Sequence, residues 1–490
     1  MTQKSIDEVA ATAVRAARPF ARTPLHQRGA ALVAVAQALE AAGSELIDIA
    51  RRETGLSEAR LEGELRRTAW QLRLFAETVV DGGYLDVRID AADPDYVIGP
   101  RPDVRRMLEP IGPVLNFAAS NFPFAFSVAG GDSAAALAAG CPVVLKAHSG
   151  HPELSRRTAE IVAEALESAG MPEGVFQLIA GQENGVALLR DERIRAGAFT
   201  GSTHIGRMLA DIAASRPVPI PFYGELGSVN PVYATYADSA LLEAFVTSMS
   251  GSAGQLCTKP GFLFVPEGAD LTAVADTAAS VAEHRLLNPG IGRAFSQRRD
   301  AVLGATGVTV LSRGEAHSDD AGQVYATPTV VSVDVDTLTQ NRDTLLEESF
   351  GPLSVIVRYP DRESLPALHA ELFPGNLTST VHARAEELVD GSLTPLVDAL
   401  AETSGRVLFG GWPTGVSVTP AMQHGGPYPA TTADATSVGT AAITRFLRGV
   451  SYQGAPQELL PPPLRDDNPW NVPQRRDEPG HSHEWGSFVG

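Results

Sequence analysis

The chain has 490 residues, 44% of them apolar, which is enough for about two to four globular domains with sizeable cores. Acidic residues outnumber basic ones by 58 to 39, and the net charge of −19 disfavours nucleic acids and anionic membranes as partners. The two cysteines, Cys141 and Cys257, are too few for a disulfide framework or a multi-cysteine metal site.

The chain begins with polar residues where a secretory signal needs an apolar core. The most apolar later stretch, residues 127–145, is interrupted by glycines, an aspartate and a proline, so we expect no membrane-spanning segment. Free thiols fit a reducing compartment, and we expect a cytoplasmic protein without a resident metal.

Residues 5–82 are predicted to be helical, because apolar positions such as Leu32, Val35 and Leu39 recur at three- and four-residue intervals. From residue 96 to residue 114 the pattern becomes extended and is interrupted by prolines, which is typical of a projecting hairpin or an edge strand. The first part of the chain is therefore predicted to be a helical segment followed by a hairpin.

Short apolar runs then alternate with helical patterns. Strands are predicted over residues 142–146, 175–179, 196–199 and 220–223, with helices over 152–169 and 203–214. This alternation requires parallel strands with helical crossovers, and so predicts a doubly wound α/β sheet.

The alternation resumes after Gly261, which predicts a second α/β domain. Its strands are expected over residues 262–265, 329–333, 353–359 and 377–382, with a helix over 270–284. Beyond residue 448 the chain becomes rich in proline and charge, and we expect an extended tail over the surface or over a neighbouring subunit.

Cys257 lies in the small-residue loop Gly-Gln-Leu-Cys-Thr-Lys-Pro-Gly, between a helical and a strand-like segment. A loop at a domain junction can expose a thiol while backbone N–H groups lower its pKa, so Cys257 is a candidate nucleophile. The alternative is a buried, inert thiol, which is how we interpret Cys141 at the start of a strand.

Three further loops carry candidate residues. Asn121, before Phe-Pro, is either a hydrogen-bond donor to an oxyanion or a turn residue that caps the next helix. Glu225, between glycines, is either a general base whose pKa is raised by desolvation or a solvated loop residue. Gly201 and Ser202 open a helix whose N–H groups favour a pyrophosphate, although no Gly-x-Gly-x-x-Gly is present.

Taken together and in this order, the motifs resemble those of the aldehyde dehydrogenase superfamily. They are Asn-Phe-Pro at Asn121, the strand-terminal Lys146, Phe-Thr-Gly-Ser-Thr at 199–203, Glu-Leu-Gly at Glu225, Gly-Gln-x-Cys at Cys257 and Glu-Glu-Ser-Phe-Gly-Pro at 347–352. Residues 126–133, 146–152 and 424–431 are similar to the α-ketoglutarate semialdehyde dehydrogenase branch, which is related to NADP-dependent aldehyde dehydrogenases.

The resemblance implies an organisation in four parts: a cofactor-binding domain over residues 1–227, a catalytic domain over 228–420, a return to the cofactor domain over 421–447 and an extended tail over 448–490. It also implies that the hairpin at 96–114 serves oligomerisation. We therefore expect a homodimer or a homotetramer.

By the family pattern, Cys257 attacks an aldehyde to give a thiohemiacetal whose oxyanion is held by the Asn121 amide and the Cys257 backbone N–H. Hydride then passes to nicotinamide and leaves a thioester, which Glu225 hydrolyses by activating water. The resemblance therefore implies oxidation of an aldehyde to a carboxylic acid.

Four residues bear on the coenzyme. Lys146 matches the family lysine that holds the adenosine ribose, and Glu348 and Phe350 match the pair that holds the nicotinamide ribose and ring. Three residues after the lysine, NAD-preferring members commonly carry glutamate, whereas this chain has the small, neutral Ser149. Serine tolerates a 2′-phosphate that glutamate would repel, so we expect NADP, with NAD as a possible second acceptor; Ser149 could also cap the next helix.

The helix around residues 63–73 is placed by the family fold along the substrate tunnel, with Arg67 and Gln71 on the tunnel side and Phe122 in the tunnel wall. An arginine there can pair with the carboxylate of 2,5-dioxopentanoate, whose oxidation gives 2-oxoglutarate. The alternative for Arg67 is a surface ion pair with Glu62 or Glu64.

Other functions remain open at this point. A tunnel lined by phenylalanines also suits a broad-specificity aliphatic or aromatic aldehyde dehydrogenase. A coenzyme A-acylating enzyme is disfavoured by Glu225, and a catalytically silent member of the fold is disfavoured by the joint presence of Cys257, Glu225 and Asn121. The chain departs from many family members in having His204 after Thr203 and in having Ser228 after Glu-Leu-Gly.

Overall fold

The computed structural model describes residues 5–489, which form 15 α-helices and 19 β-strands. The helices are α1 (Ile6–Ala21), α2 (Leu25–Ala41), α3 (Gly43–Thr54), α4 (Glu58–Asp81), α5 (Gly131–Ala139), α6 (Pro152–Ser168), α7 (Gln182–Arg190), α8 (Thr203–Ala214), α9 (Ser239–Ser250), α10 (Thr272–Ser280), α11 (Pro289–Gly304), α12 (Val335–Gln340), α13 (Arg342–Leu345), α14 (Leu365–Leu372) and α15 (Thr394–Thr403).

The strands assemble into four sheets. They are β1 (Val87–Asp90), β2 (Val104–Pro110), β3 (Val114–Phe117), β4 (Val143–Lys146), β5 (Phe176–Ile179), β6 (Ala196–Thr200), β7 (Phe222–Glu225), β8 (Pro231–Ala234), β9 (Phe262–Pro266), β10 (His284–Arg285), β11 (Thr309–Ser312), β12 (Ala316–Ser318), β13 (Val324–Ala326), β14 (Thr329–Asp334), β15 (Leu353–Tyr359), β16 (Asn376–His382), β17 (Ser404–Phe409), β18 (Leu447–Gln453) and β19 (Gln474–Asp477).

The helical N-terminal segment is confirmed as α1 to α4. The Ser5 and Ser57 hydroxyls accept backbone N–H groups at the starts of α1 and α4, and Gly55 and Gly82 end α3 and α4 at φ +72°, which glycine adopts without strain. Their apolar faces join α5 and strands β3 and β4 in one core, so this segment is part of the first domain.

The first sheet has the strand order β5-β4-β3-β6-β7 with every pairing parallel, as the doubly wound prediction requires. The chain moves outward from β3 to β5, then returns to β6 on the other side of β3. This reversal opens a crevice at the carboxyl ends of the strands, where ligands bind in such sheets. Asn121 and Gly201 follow β3 and β6 at this edge, and Lys146 and Glu225 are the last residues of β4 and β7.

The second sheet confirms the second α/β domain. Its order is β11-β14-β15-β9-β8-β16-β17, and only β11 runs antiparallel to its neighbour among the pairings of the described chain. Buried phenylalanines, including Phe262 and Phe264, pack with aliphatic residues of β14 and β15 on one face. The predicted helix at 270–284 is shorter than expected, because the chain leaves α10 at Ser280 and forms β10 at His284.

The hairpin differs from the predicted range of 96–114. Its paired strands are β1 and β2, while β3 at 114–117 belongs to the first sheet. The four residues of β1 are too few to show a strand period, so the sequence pattern placed the start of the hairpin too late.

The tail pairs with strands of the same chain: β18 pairs with β2 and β19 pairs with β1, which makes a sheet of order β18-β2-β1-β19.

No single helix within residues 5–489 has the length and apolar composition needed to cross a membrane; α2 and α3 meet that test only as a pair bent by 68°. A homodimer or homotetramer and a cytoplasmic location stay predictions of the sequence.

The segment after β17 returns to the first sheet, where a buried ion pair anchors it. Arg445 Nη2 lies 2.7 Å from Asp132 Oδ1 in the first turn of α5, and the side chains are 5% and 7% exposed. Gly405 of β17 lets this segment pass close by, because a Cβ there would lie 1.3 Å from the Gly425 carbonyl oxygen. The segment is therefore held against both sheets.

Replacing Arg445 by methionine should lower the free energy of unfolding by about 3–5 kcal/mol, because Asp132 would remain buried without its partner. Urea unfolding measures the change. The matched control is Arg342→Met, which removes an exposed pair with Glu371 and should cost about 0–1 kcal/mol. Equal losses in the two variants would show that the buried pair has no special part in anchoring the segment.

Candidate active site

The loop of Cys257 begins with a tight turn that only a narrow set of residues allows. Ser252, Ala253 and Gly254 all adopt positive φ angles, of 53°, 54° and 64°. A Cβ on Gly254 would lie 2.3 Å from the Gly351 carbonyl oxygen, so glycine is required both by the angle and by the close approach. The turn thereby locks the cysteine loop against the Glu-Glu-Ser-Phe-Gly-Pro segment.

The far side of the same loop is held by Asn230. Its Nδ2 donates to the Cys257 carbonyl at 2.8 Å and to the Lys259 carbonyl at 3.0 Å. The Ser228 hydroxyl donates to Asn230 Oδ1 at 2.7 Å and accepts the Leu377 N–H at 2.9 Å. Serine at 228, where many family members have glycine, therefore orients the residue that fixes the cysteine loop.

The side chains of Cys257, His424 and Glu225 meet at the junction of the two sheets. His424 Nε2 lies 3.6 Å from Cys257 Sγ and 3.2 Å from Glu225 Oε1, and the three side chains can each offer one atom within 4.8 Å of the others. Cys257 is half-buried, while His424 and Glu225 are buried. The solvated-loop alternative for Glu225 is wrong, because its side chain is buried, and Cys257, which is half-buried, is not sealed from solvent.

Burial raises the pKa of the Cys257 thiol well above its ordinary value, and the carboxylates of Glu225 and Glu348 raise it further, with Arg67 opposing them. Burial also raises the pKa of Glu225, but His424, Ser437 and Cys257 together outweigh it, so this pKa lies below its ordinary value. The expectation that desolvation would raise the pKa of Glu225 is therefore wrong, because its hydrogen-bond partners favour the carboxylate.

Asn121 lies beside this group. Its Nδ2 donates to the Gln255 carbonyl at 3.1 Å, two residues before Cys257, and the side chain is buried. It does not cap the helix that follows, because α5 begins at Gly131 with Gly130 as its N-cap. The structure thus brings the amide, the thiol and the carboxylate to one place.

One face of α4 carries four polar side chains at spacings of four, three and four residues: Arg60, Glu64, Arg67 and Gln71. Glu64 Oε1 accepts the N–H groups of Phe124 and Ala125 at 2.8 and 3.0 Å, which ties the Asn121 loop to α4. Sequence reasoning missed Arg60, although its seven-residue spacing from Arg67 was a usable signal.

Arg67 is not the surface ion pair considered as its alternative. The neighbouring Arg66 lies 4.0 Å from Glu62, whereas Arg67 forms no such pair within residues 5–489. Burial lowers the pKa of Arg67, with the charges of Glu64, Cys257 and Glu225 opposing this. Its guanidinium therefore lies within electrostatic reach of the candidate nucleophile and base.

Several polar atoms on this face are buried without a hydrogen-bond partner in the described chain: Nη1 of Arg60, Nη1 of Arg67, and both Nε2 and Oε1 of Gln71. Unpaired buried groups are costly, so such a cluster indicates a place for a polar ligand or water. Aromatic rings form the adjacent wall, since Arg60 stacks 5.0 Å from the Phe122 ring centroid and Arg67 stacks 5.1 Å from that of Phe126.

The residues expected to hold a nicotinamide coenzyme surround the crevice of the first sheet. Gly201 and Ser202 are exposed at the N-terminus of α8, where the Ser202 side chain makes no capping bond and backbone N–H groups can receive phosphate. Lys146 ends β4 and forms no salt bridge within the described residues. Ser149 is exposed and is not a helix cap, because α6 has His151 as its N-cap.

Glu348 completes this edge from the second domain, and Phe350 packs partly buried against the first core. A Cβ on Gly227 would lie 2.6 Å from Glu348 Oε2, so the absence of a side chain there keeps a space beside the carboxylate. Burial raises the pKa of Glu348 to about 7, with Lys259 opposing it. The backbone N–H groups at Gly201 and Ser202, the Lys146 ammonium and the space beside the Glu348 carboxylate fit a phosphate- and ribose-bearing coenzyme.

His424 was missed as a functional residue, although its Gly-Gly-Pro context contributed to the family resemblance. Ser437 was missed as well: its hydroxyl donates to Glu225 Oε2 at 2.6 Å. Both lie in the return segment, and a small cavity beside Glu225 is lined by these residues together with Asp132 and Arg445. Periodicity carries no signal for them, because the segment has little regular structure.

The comparisons with known proteins agree with this geometry. The aldehyde dehydrogenase family profile matches residues 1–385, which is most of the chain. The chain therefore belongs to the aldehyde dehydrogenase family, with the fold of that family, and is an oxidoreductase of the aldehyde dehydrogenase type.

Two curated relatives are similar over nearly the whole length. The chain is 40% identical over 485 residues to an alpha-ketoglutaric semialdehyde dehydrogenase of Acinetobacter baylyi, covering 96% of this chain and 90% of the relative. It is 41% identical over 469 residues to alpha-ketoglutaric semialdehyde dehydrogenase 2 of Azospirillum brasilense, covering 93% and 87%.

Among solved structures, a mutant of aldehyde dehydrogenase C from Pseudomonas syringae, in complex with NAD⁺ and octanal, is similar in fold. The TM-score is 0.76 at 22% identity, covering 92% of this chain and 89% of that one.

The raised pKa of Cys257 predicts how its rate of alkylation by iodoacetamide depends on pH. Because only the thiolate reacts, the rate in the free protein should rise with pH to a midpoint above the ordinary value of about 8.5. Glu225→Gln removes one of the negative charges that disfavour the thiolate, so its midpoint should move to lower pH. Cys257→Ser is the control for labelling at the buried Cys141. A midpoint that is unchanged or higher in Glu225→Gln would contradict this electrostatic picture.

Proposed function

We propose that the protein oxidises 2,5-dioxopentanoate to 2-oxoglutarate, with NADP as the preferred coenzyme and NAD as a second acceptor. The observation that carries the reaction type is the meeting of Cys257, His424 and Glu225 beside the Asn121 amide. The names of the two relatives at 40% and 41% identity support the substrate.

In the proposed first step, the sulfur attacks the aldehyde carbon and its proton passes to His424 Nε2, 3.6 Å from Cys257 Sγ, in the tautomer whose ring proton is on Nδ1. Asn121 Nδ2 exchanges its bond to the Gln255 carbonyl for one to the developing oxyanion, and the Cys257 N–H is the second donor. The coenzyme, when bound, supplies the hydride acceptor that turns the thiohemiacetal into a thioester.

In the second step, Glu225 takes a proton from water, which then attacks the thioester and releases the carboxylic acid. The departing Cys257 thiolate recovers its proton from His424, and Glu225 gives its proton to solvent. A carboxylate with a lowered pKa is ionised at neutral pH, which is the protonation state that a general base requires. Ser437 Oγ, which donates to Glu225 Oε2, holds the carboxylate in place while Oε1 faces His424.

Rapid mixing with aldehyde and coenzyme separates the two steps. Glu225→Gln should retain a burst of about one reduced coenzyme per site and lose steady turnover, because thioester hydrolysis is blocked. His424→Gln should slow the burst itself, by about 10²-fold, because the thiol loses its proton acceptor.

Two results would contradict the proposed function. One is the absence of a burst from the wild-type protein with every aldehyde tested. The other is acyl-coenzyme A as the main product when coenzyme A is added, which would make Glu225 irrelevant to turnover.

The α4 face supports the proposal that the substrate is a carboxylated aldehyde. The substrate's remote carboxylate would receive the unpaired N–H groups of Arg67 and Arg60, and Gln71 would bond the neighbouring keto oxygen. The Nη1 atoms of both arginines would thereby gain the partners that the described chain does not give them.

Arg67→Ala should therefore raise KM for 2,5-dioxopentanoate by about 10- to 100-fold, corresponding to a lost charged hydrogen bond of about 1.5–3 kcal/mol. KM for hexanal, which has no carboxylate, should change far less. Arg66→Ala is a matched control on the exposed face of the same helix. Equal losses on both aldehydes would favour a broad-specificity aldehyde dehydrogenase instead.

NADP is supported by Ser149, which is exposed and uncharged at the end of the Lys146 loop. Ser149→Glu should raise KM for NADP by about 10-fold or more and leave KM for NAD unchanged or lower, because a carboxylate repels the 2′-phosphate. Ser149→Ala controls for loss of the hydroxyl. Similar changes for both coenzymes would place the 2′-phosphate elsewhere.

A further inference from the structure

A single atom of the His424 imidazole, Nε2, faces two other side chains. Its Nε2 lies 3.6 Å from Cys257 Sγ and 3.2 Å from Glu225 Oε1. A single proton on Nε2 can be shared with only one of these neighbours at a time. A divalent cation at the point where the three atoms converge would contact all of them.

The donor set is that of zinc. Zn²⁺ binds thiolate sulfur at about 2.3 Å and imidazole nitrogen or carboxylate oxygen at about 2.0–2.2 Å. Tetrahedral angles then place sulfur and nitrogen about 3.6 Å apart and nitrogen and oxygen about 3.4 Å apart. The observed separations of 3.6 and 3.2 Å come close to these. The third separation, between the sulfur and the carboxylate oxygen, is at most 4.8 Å, against about 3.6 Å in a tetrahedral site.

The charges near Cys257 are mixed. Glu225 and Glu348 favour a cation there, while Arg67 and Arg406 oppose it. Zn²⁺ would balance the two negative charges of its own thiolate and carboxylate ligands, which otherwise repel each other in a buried place. Binding displaces one proton from the thiol and changes no oxidation state.

The surroundings of the ligands are also ordered. Ser437 donates to Glu225 Oε2 and Asn230 donates to the Cys257 carbonyl, so hydrogen bonds from neighbouring side chains help to fix two of the three ligand residues. Within residues 5–489, this is the one group of at least three such side chains that converges closely enough for a metal. Other histidine–carboxylate pairs, such as His317 with Glu283, lie on the surface.

We propose that Cys257, His424 and Glu225 form an inhibitory Zn²⁺ site, with the fourth position open to water. This rests on the proposed function only in that the same sulfur is the nucleophile. Bound Zn²⁺ then prevents the Cys257 sulfur from attacking aldehydes. A chelator that removes the metal restores the reactivity of the thiol.

Binding is measured on the full chain without aldehyde or coenzyme. Calorimetry should give one tight Zn²⁺ per chain, and Co²⁺ should produce a sulfur-to-cobalt charge-transfer band. With free Zn²⁺ at about a hundred times its Kd, alkylation of Cys257 by iodoacetamide should slow about 100-fold. An unchanged alkylation rate in saturating zinc would overturn the proposal.

Variants assign the ligands. His424→Gln should weaken zinc binding at least about 10-fold, and Cys257→Ser should abolish the charge-transfer band. His317→Ala and His481→Ala, which alter exposed histidine–carboxylate pairs, should bind zinc as the wild type does. Undiminished tight binding in both His424→Gln and Cys257→Ser, or its loss in the surface variants, would show that the metal binds elsewhere.

The outcome is separable from that of the proposed function. A protein that binds zinc at Cys257 but oxidises no aldehyde contradicts the function and leaves the metal site standing. A protein that oxidises 2,5-dioxopentanoate while its thiol is unprotected by zinc contradicts the metal site alone.

Discussion

The site depends on the imidazole of His424, which stands between a thiol and a carboxylate that reach it from different parts of the chain. Glu225 ends a strand of the first sheet, and Cys257 lies in a loop just before a strand of the second. His424 comes from the irregular segment that returns from the second sheet to the first. Its contacts of 3.6 and 3.2 Å therefore close the site across the two domains.

This arrangement resolves an electrostatic conflict. A buried carboxylate next to a buried thiol holds the thiol in its protonated, unreactive form, as the raised pKa of Cys257 shows. In the proposed mechanism, the imidazole between them takes the thiol proton and becomes a cation that favours both neighbouring anions. On that proposal the thiol stays protected from oxidation and alkylation in the free protein, and loses its proton as it reacts.

Much of the fold was predictable, because buried parallel strands give continuous apolar runs and their crossovers keep a helical period. The strands at 142–146, 196–199 and 353–359 coincide with β4, β6 and β15 within a residue or so. The hairpin start was missed because β1 has only four residues, and the tail was predicted as extended when two of its segments extend the hairpin sheet.

The candidate site was predictable where a motif carried it. Cys257, Asn121 and Glu225 were found by their loops and by family resemblance, and the structure brings them together. His424 was not found, since its role depends on where a segment of irregular structure packs, which no local pattern encodes. The direction of the Glu225 pKa was wrong for the same reason: the partners that lower it, His424 and Ser437, are about 200 residues away in sequence.

The groups proposed to react with the aldehyde and the groups proposed to select the substrate lie on different elements of the structure. The Cys257 loop and the Glu225 carboxylate are held by short hydrogen bonds, from Asn230 to the Cys257 carbonyl and from Ser437 to Glu225 Oε2. On the α4 face, buried atoms of Arg60, Arg67 and Gln71 have no partner in the described chain. Such unpaired groups gain most from a ligand that supplies the missing hydrogen-bond partners. A substrate with two polar groups beyond its aldehyde therefore obtains binding energy that a plain alkyl chain cannot, even though the same cysteine can attack both.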